Sequence, residues 1–265
     1  MRHGFDWRRT PGFGTYTACI FFFLYAPLVV LVAYSFNGGS LVTVWGGASL
    51  KWFAAVAVNR DIQAAALNSV IIAAAATFAA TSLGTLAAVG MERSAQRSSG
   101  VMSSLFALPL LVPEIVTAVT TLIFFSSLNL RLGLMNLIVA HTVFCIPFAM
   151  MPVRARMKGL GDLWENAARD LYAPPFKVLT RVTIPLLRPA IFSGAILSFV
   201  VSLDDFVISA MVGDAGTTTL PVYVYGMIRR GITPEVNAAS TILLVISIVL
   251  AAVGQYLNRQ AISKS

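Results

Sequence analysis

Charge is missing from this chain in long blocks, and that absence restricts the fold more than any motif does. No Asp, Glu, Lys or Arg occurs in residues 10–50, 62–91, 98–113, 115–130, 132–153 or 236–258. A further block runs from Pro189 to Leu203 and, past Asp204 and Asp205, on to Gly213. A helix needs about 20 apolar residues to cross a bilayer. The blocks divide into six such spans if Glu114 and the Asp204/Asp205 pair lie inside the membrane. Only 11% of the 265 residues are charged, against roughly 25% in a soluble domain. The fold class is therefore all-α: a polytopic membrane protein with one transmembrane domain over residues 1–265, its core at about 62–258. Residues 1–61 hold a basic tail, the first span and an outer segment.

The net charge of +8 is a membrane address and not a nucleic-acid footprint. With the N-terminus in the cytoplasm, only Lys51, Arg60, Arg131, Arg229 and Arg230 of the 19 Lys and Arg fall outside, leaving fourteen inside. That bias orients membrane proteins, and it places both termini in the cytoplasm. The first apolar run, about Tyr16–Phe36, is longer than the core of a cleavable signal and no small-x-small site follows it. It is a retained span. Cys19 and Cys145 both lie in apolar helix patterns, which fits small core residues and neither a disulfide nor a metal site.

The remaining spans are expected at about Ile62–Met91, Val101–Leu128, Gly133–Val153, Leu186–Val212 and Val236–Leu257. Pro109 and Pro113 each remove a backbone donor and bend the third. Gly84 and Ala88, four apart, allow close helix packing. Between spans one and two, residues 37–60 are rich in Gly and Trp, as expected of a loop with a short helix along the outer surface. Val222–Gly231 reads as a short amphipathic piece between spans five and six.

One polar, basic stretch interrupts the apolar pattern, Trp164 to Pro189, with the sequence WENAARDLYAPPFKVLTRVTIPLLRP. Asp162 can cap a helix whose first turn holds Glu165. Ala167 and Ala168 give that helix a face able to lie close against another protein, with Arg169 and Asp170 as charged contacts beside it. The stretch resembles the coupling loop of the permease subunits of ATP-driven (ABC) importers. There Glu-Ala-Ala is followed after three residues by Gly, and after nine more by Ile-x-Leu-Pro. Asn166, Ala167, Ala168, Tyr172, Val182, Ile184 and Pro185 stand at those positions. The resemblance implies that Glu165 to Asp170, with Tyr172, form the contact to an ATPase subunit. Asn166 departs from the Glu, although Glu165 beside it can supply the charge. Tyr172 departs from a glycine that closes the helix with positive φ, a conformation that strains a bulky residue. Pro174 and Pro175 offer another way to stop the helix.

Acids inside apolar spans are expensive, by roughly 2.5–3.5 kcal/mol each on insertion scales, and face a cavity or a partner. Adjacent residues point about 100° apart on a helix, so Asp204 and Asp205 serve different directions. One reading puts them, with Glu114, along a route for cations. The other has them cap a break in span five. His141 reads first as a packing or hydrogen-bonding histidine. Ser202–Pro221, Met227–Thr241, Leu41–Trp52 and Ala140–Phe148 together resemble the polyamine branch of the importer permeases, most closely the putrescine type, over about Tyr25 to Tyr256.

That resemblance implies a second permease, two ATP-binding subunits that carry ATP and Mg, a periplasmic polyamine-binding protein and a bacterial inner-membrane location. Trp45, Tyr223 and Tyr225 are aromatic candidates to face an ammonium cargo. The chain has no Gly-x-x-x-x-Gly-Lys phosphate loop, so it carries no cofactor of its own and hydrolysis falls to partners. Three alternatives remain: another cationic metabolite or an amino acid as cargo, an ion-coupled secondary transporter, for which no repeated halves are detectable, and an intramembrane enzyme, which would need a Ser/His or metal constellation at one depth where the sequence offers a lone His141 with no paired motif.

Overall fold

The computed structural model describes residues 12–42, 44–93, 99–161, 163–231 and 233–263. Its helices are α1 (Phe13–Ser35), α2 (Lys51–Val58), α3 (Arg60–Arg93), α4 (Ser99–Leu111), α5 (Glu114–Ser127), α6 (Leu134–Leu160) and α7 (Leu163–Asp170). A long helix follows, α8 (Pro175–Val178) running through a π-helical turn (Leu179–Thr183) into α9 (Ile184–Asp204). The chain ends with α10 (Val207–Val212), α11 (Leu220–Arg230) and α12 (Pro234–Ser263). Among the described residues five helices are long and apolar enough to cross a membrane, or six if the bent pair α4–α5 counts as one span.

Contacts gather the chain into two compact units. One holds the residues up to Asn59 with Gly226–Leu244, the other Arg60–Tyr225 with Val245–Ser265. In the first, α1 is apolar throughout, and none of its most apolar 18-residue window is buried. The outer loop after it is organised by Asn37. The Asn37 amide donates to the carbonyls of Leu41 and Val44 at 3.2 and 2.8 Å, while its Oδ1 accepts from Gly39 and Gly46 at 3.1 and 2.7 Å. A side chain at Gly46 would meet the Gly39 backbone at 2.7 Å, so the loop needs that glycine. The Trp52 indole donates to the Gly39 carbonyl at 3.2 Å, which ties α2 to the loop. Trp45 stacks edge-on against Tyr34.

The second unit is built around α3, α6 and α9. On α3 buried residues recur at steps of three or four, Ile62, Ala65, Ser69, Ile72, Ala76, Ala80, Gly84, Ala88 and Met91, with Ala73 and Val89 beside them. This is one helical stripe of mostly small side chains, and it lets α6 come close. At mid-bundle three helices meet at Ala149. A Cβ on Gly84 of α3 would stand 3.2 Å from the Ala149 Cβ, and a Cβ on Gly194 of α9 would collide with the Ala149 carbonyl oxygen. Without hydrocarbon–water contrast between lipid and side chain, such close packing supplies much of the helix association. The pairing of Gly84 with Ala88 is therefore ordinary bundle packing, as read from sequence.

Three expectations need correction. Span three is not one bent helix: it breaks at Val112–Pro113, and α4 and α5 diverge by 107°. Pro113 lacks a donor and disfavours helix in the residue before it, whereas Pro109 is accommodated within α4. Span five begins at Pro175, not Leu186, and the second half of the polar stretch is helix. Pro175 sits at the first helical position, where its missing N–H costs nothing, and Lys177, Arg181 and Arg188 decorate the helix end. Span five also ends early, at Asp204, with a break before α10. The proposed cap Asp162 lies outside the described residues.

Candidate functional site

The coupling stretch folds as α7, a turn, and the start of the long helix. Two hydrogen bonds close α7: Tyr172 N donates to Arg169 O at 2.8 Å and Ala173 N to Ala168 O at 3.1 Å. That pair is the Schellman arrangement, and it needs a left-handed residue at Tyr172. Tyr172 supplies it, with φ of 59°. The turn expected of glycine is thus present, and a tyrosine bears the strain. The Tyr172 side chain is 96% exposed, so no packing compensates for it.

Asn166, Ala167 and Asp170 lie on the open side of α7, and Ala168 is half-buried. Leu163, Trp164, Leu171 and Phe176 add a broad exposed apolar surface around it. Glu165 points the other way. Its Oε1 accepts from Arg93 Nη2 of α3 at 2.7 Å and from the Thr183 hydroxyl at 2.6 Å. Arg93 Nη2 also donates to Thr183 at 2.7 Å, and Arg169 lies 3.6 Å from the other carboxylate oxygen. Burial raises the Glu165 carboxyl, but the hydrogen bonds from Arg93 and Thr183 and the charges of Arg93 and Arg169 outweigh it and hold it below the usual carboxylate range. Glu165 is therefore an internal bracket joining α7 to α3 and to the π turn of the long helix. It is not the outward charge the motif suggested. Thr183 closes the π turn, and such turns recur at functional positions in helices.

The second site is the break between α9 and α10. Asp205 is buried and caps α10: it accepts from the backbone N–H of Ser209 at 2.9 Å and of Ile208 at 3.3 Å, and from the Ser209 hydroxyl at 2.9 Å. His141 of α6 completes the network, with Nε2 3.3 Å from Asp205 Oδ2 and 3.1 Å from Ser209 Oγ, and Nδ1 2.8 Å from Ser202 Oγ. Glu114 stands at the N-terminus of α5, the helix packed against α10. Asp204 is exposed. The two aspartates thus divide: Asp205, in extended backbone just past the end of α9, caps the break, whereas Asp204 ends the helix with its side chain exposed. Tyr225 packs on Phe206 with ring centroids 4.6 Å apart, which brings it to the break. Tyr223 is half-buried on the same helix.

Residues 80–263 match the family described as "Binding-protein-dependent transport system inner membrane component". The chain belongs to this family. As a permease of this kind it has similar relatives along almost its whole length. One is the spermidine/putrescine transport system permease protein PotC of Escherichia coli (strain K12), 35% identical over 246 residues that cover 93% of each chain. Another is the putrescine transport system permease protein PotI of the same strain, 38% identical over 248 residues, covering 91% of this chain and 88% of that one. Among solved structures, a bacterial ABC transporter involved in the import of the acidic polysaccharide alginate matches with a TM-score of 0.69 at 14% identity, covering 92% of this chain and 94% of that one. That likeness shows the fold, which is the type I importer permease fold.

Two features of this permease escaped the sequence reading. One is the bracket of Arg93 and Thr183 on Glu165, whose members lie far apart in the chain. The other is the partnership of His141 with Asp205. Its only sequence signal was a lone polar residue in an apolar span, and a packing histidine gives the same signal.

Proposed function

We propose that this chain is one of two permease subunits of an ATP-driven polyamine importer in the bacterial inner membrane, with both termini in the cytoplasm. The observation that carries the reading is the match to polyamine permeases over nine-tenths of the chain. A second permease completes the passage, two ATP-binding subunits hold ATP and Mg beneath it, and a periplasmic binding protein delivers the cargo. This chain hydrolyses nothing itself. On this reading Asn166, Ala167, Ala168, Arg169 and Asp170 meet an ATP-binding subunit, Tyr172 sets the turn that presents them, and Glu165 carries the movement to α3 and the long helix. Asp204 and Glu114, with Tyr225 and Tyr223 nearby, offer carboxylates and aromatic faces to a diamine.

The test is ATP hydrolysis by the complex, co-expressed with its partners and reconstituted in lipid with its binding protein, with and without putrescine. Stimulation at micromolar putrescine is the expected result. Hydrolysis indifferent to any polyamine would overturn the cargo, and no hydrolysis with correctly assembled partners would overturn the importer reading itself.

A further inference from the structure

A groove of about 330 Å³ lies between α4 and α6. Phe106 and Leu110 of α4 and Pro147, Met150 and Met151 of α6 make its apolar body, and Arg154 and Lys158 line it next to Ala155. The order follows from helix spacing. Pro147, Met151, Arg154 and Lys158 lie along one face of α6 at steps of three and four, so the groove is apolar along most of its length and basic at one end. From Pro147 to Lys158 the helix rises about 16 Å, close to half of the roughly 30 Å hydrocarbon core. The groove therefore has the length of one leaflet, with its basic end at the interface on the α7 side. Leu110 and Met151 are 40% and 54% exposed, so its side is open.

Charge decides the occupant. A cationic cargo is repelled by Arg154 and Lys158, and the acids that suit a cation stand elsewhere, at Glu114 and Asp204. Glu92 accepts from Arg154 Nε at 3.0 Å, which fixes the guanidinium in place beside Lys158. Lys158 is exposed and makes no ion pair among the described residues. Basic groups at the end of an apolar channel between membrane helices match an acyl chain beneath a phosphate.

We propose that the α4–α6 groove binds an anionic phospholipid of the leaflet facing the coupling helix, its acyl chain against Phe106, Met150 and Met151 and its phosphate at Lys158 and Arg154. The inference rests on the membrane-permease reading but not on the cargo, and its readout requires neither transport nor ATP. The assembled transporter is delipidated and returned to an equimolar mixture of phosphatidylglycerol and phosphatidylcholine with identical acyl chains, and the retained lipid is counted by native mass spectrometry. Phosphatidylglycerol is retained selectively. Lys158→Gln lowers that retention about fivefold, the equivalent of one basic residue at a lipid surface, and Met151→Trp, which fills the groove without touching the charges, lowers retention of both lipids. Equal retention of the two lipids, or unchanged retention in Lys158→Gln, would overturn the proposal. So would protection of Met151→Cys from a thiol reagent in the lipid-free complex of a Cys19→Ala background, because a protein segment would then cover the groove.

Discussion

Single residues in the coupling region hold opposite kinds of energy. Tyr172 stores strain: a left-handed, non-glycine residue costs roughly 1–2 kcal/mol, and its exposed ring recovers none of it within the chain. Tyr172→Gly is expected to raise the thermal stability of the turn by about 1 kcal/mol, read as slower proteolysis between Asp170 and Pro174, with the α7 geometry unchanged. Faster cleavage would mean that the tyrosine ring supports the turn after all. Glu165 stores attraction. Its carboxyl is held below the usual range, so the bracket contributes fully above the ordinary carboxylate pKa and is lost as pH falls through the lowered folded value. Coupling measured between pH 6 and 8 should therefore be flat on account of Glu165, and should fail only on stronger acidification. Glu165→Gln removes the charge and weakens two charge-assisted bonds, each worth about 1.5–3 kcal/mol. Substrate-stimulated hydrolysis should fall in that variant at neutral pH while the protein remains inserted. The motif spacing located this region from sequence. It could not tell Glu165 from Asn166 as the outward residue, because that depends on where Arg93, 72 positions earlier, comes to rest.

Helices in this protein pack by the absence of side chains as much as by their presence. Gly194 meets the Ala149 backbone, and a rigid carbonyl cannot swing away as a side chain can. Gly194→Ala should lower the unfolding midpoint in detergent by an amount equivalent to about 1–3 kcal/mol, and adding Ala149→Gly should not restore it, because the colliding atom is backbone. Gly84→Ala meets its neighbours at 3.1–3.2 Å and should be milder; equal losses at the two sites would contradict this packing. The helices themselves were legible from hydropathy: α1 and α3 end within three residues of their expected limits, while α6 and α12 start as expected but run on to Leu160 and Ser263, past Val153 and Leu257, because polar residues continue the helix beyond the apolar block. The breaks were not. Pro109 and Pro113 look alike in sequence, yet only the second ends a helix. The break at Asp205 depends on a cap formed with His141 and Ser209, and no local pattern specifies that partnership.

At the scale of the whole molecule, the proposed coupling asks how a small surface helix could act on a membrane pathway. α7 is anchored on its inner side by the Arg93–Glu165–Thr183 bracket, so a push on its outer side reaches α3 and the long helix without passing through a flexible loop. The long helix continues from the π turn to Asp204, and its end at the α9–α10 break carries the candidate cargo acids. One continuous helix therefore joins the surface proposed to meet an ATPase partner to the residues proposed to meet the cation. This connection was not legible in the sequence, where residues 175–185 read as loop and the mechanical link was hidden. Two substitutions separate the ends of this lever. Ala167→Glu alters only the exposed face of α7, so the chain should insert and assemble its bundle normally, while putrescine-stimulated hydrolysis and uptake are lost. Asp204→Asn leaves α7 and the Asp205 cap untouched, so basal hydrolysis by the complex should persist while uptake falls. If Ala167→Glu transports normally, α7 is not the coupling surface; if Asp204→Asn abolishes basal hydrolysis as well, the acid at the break serves assembly and not passage.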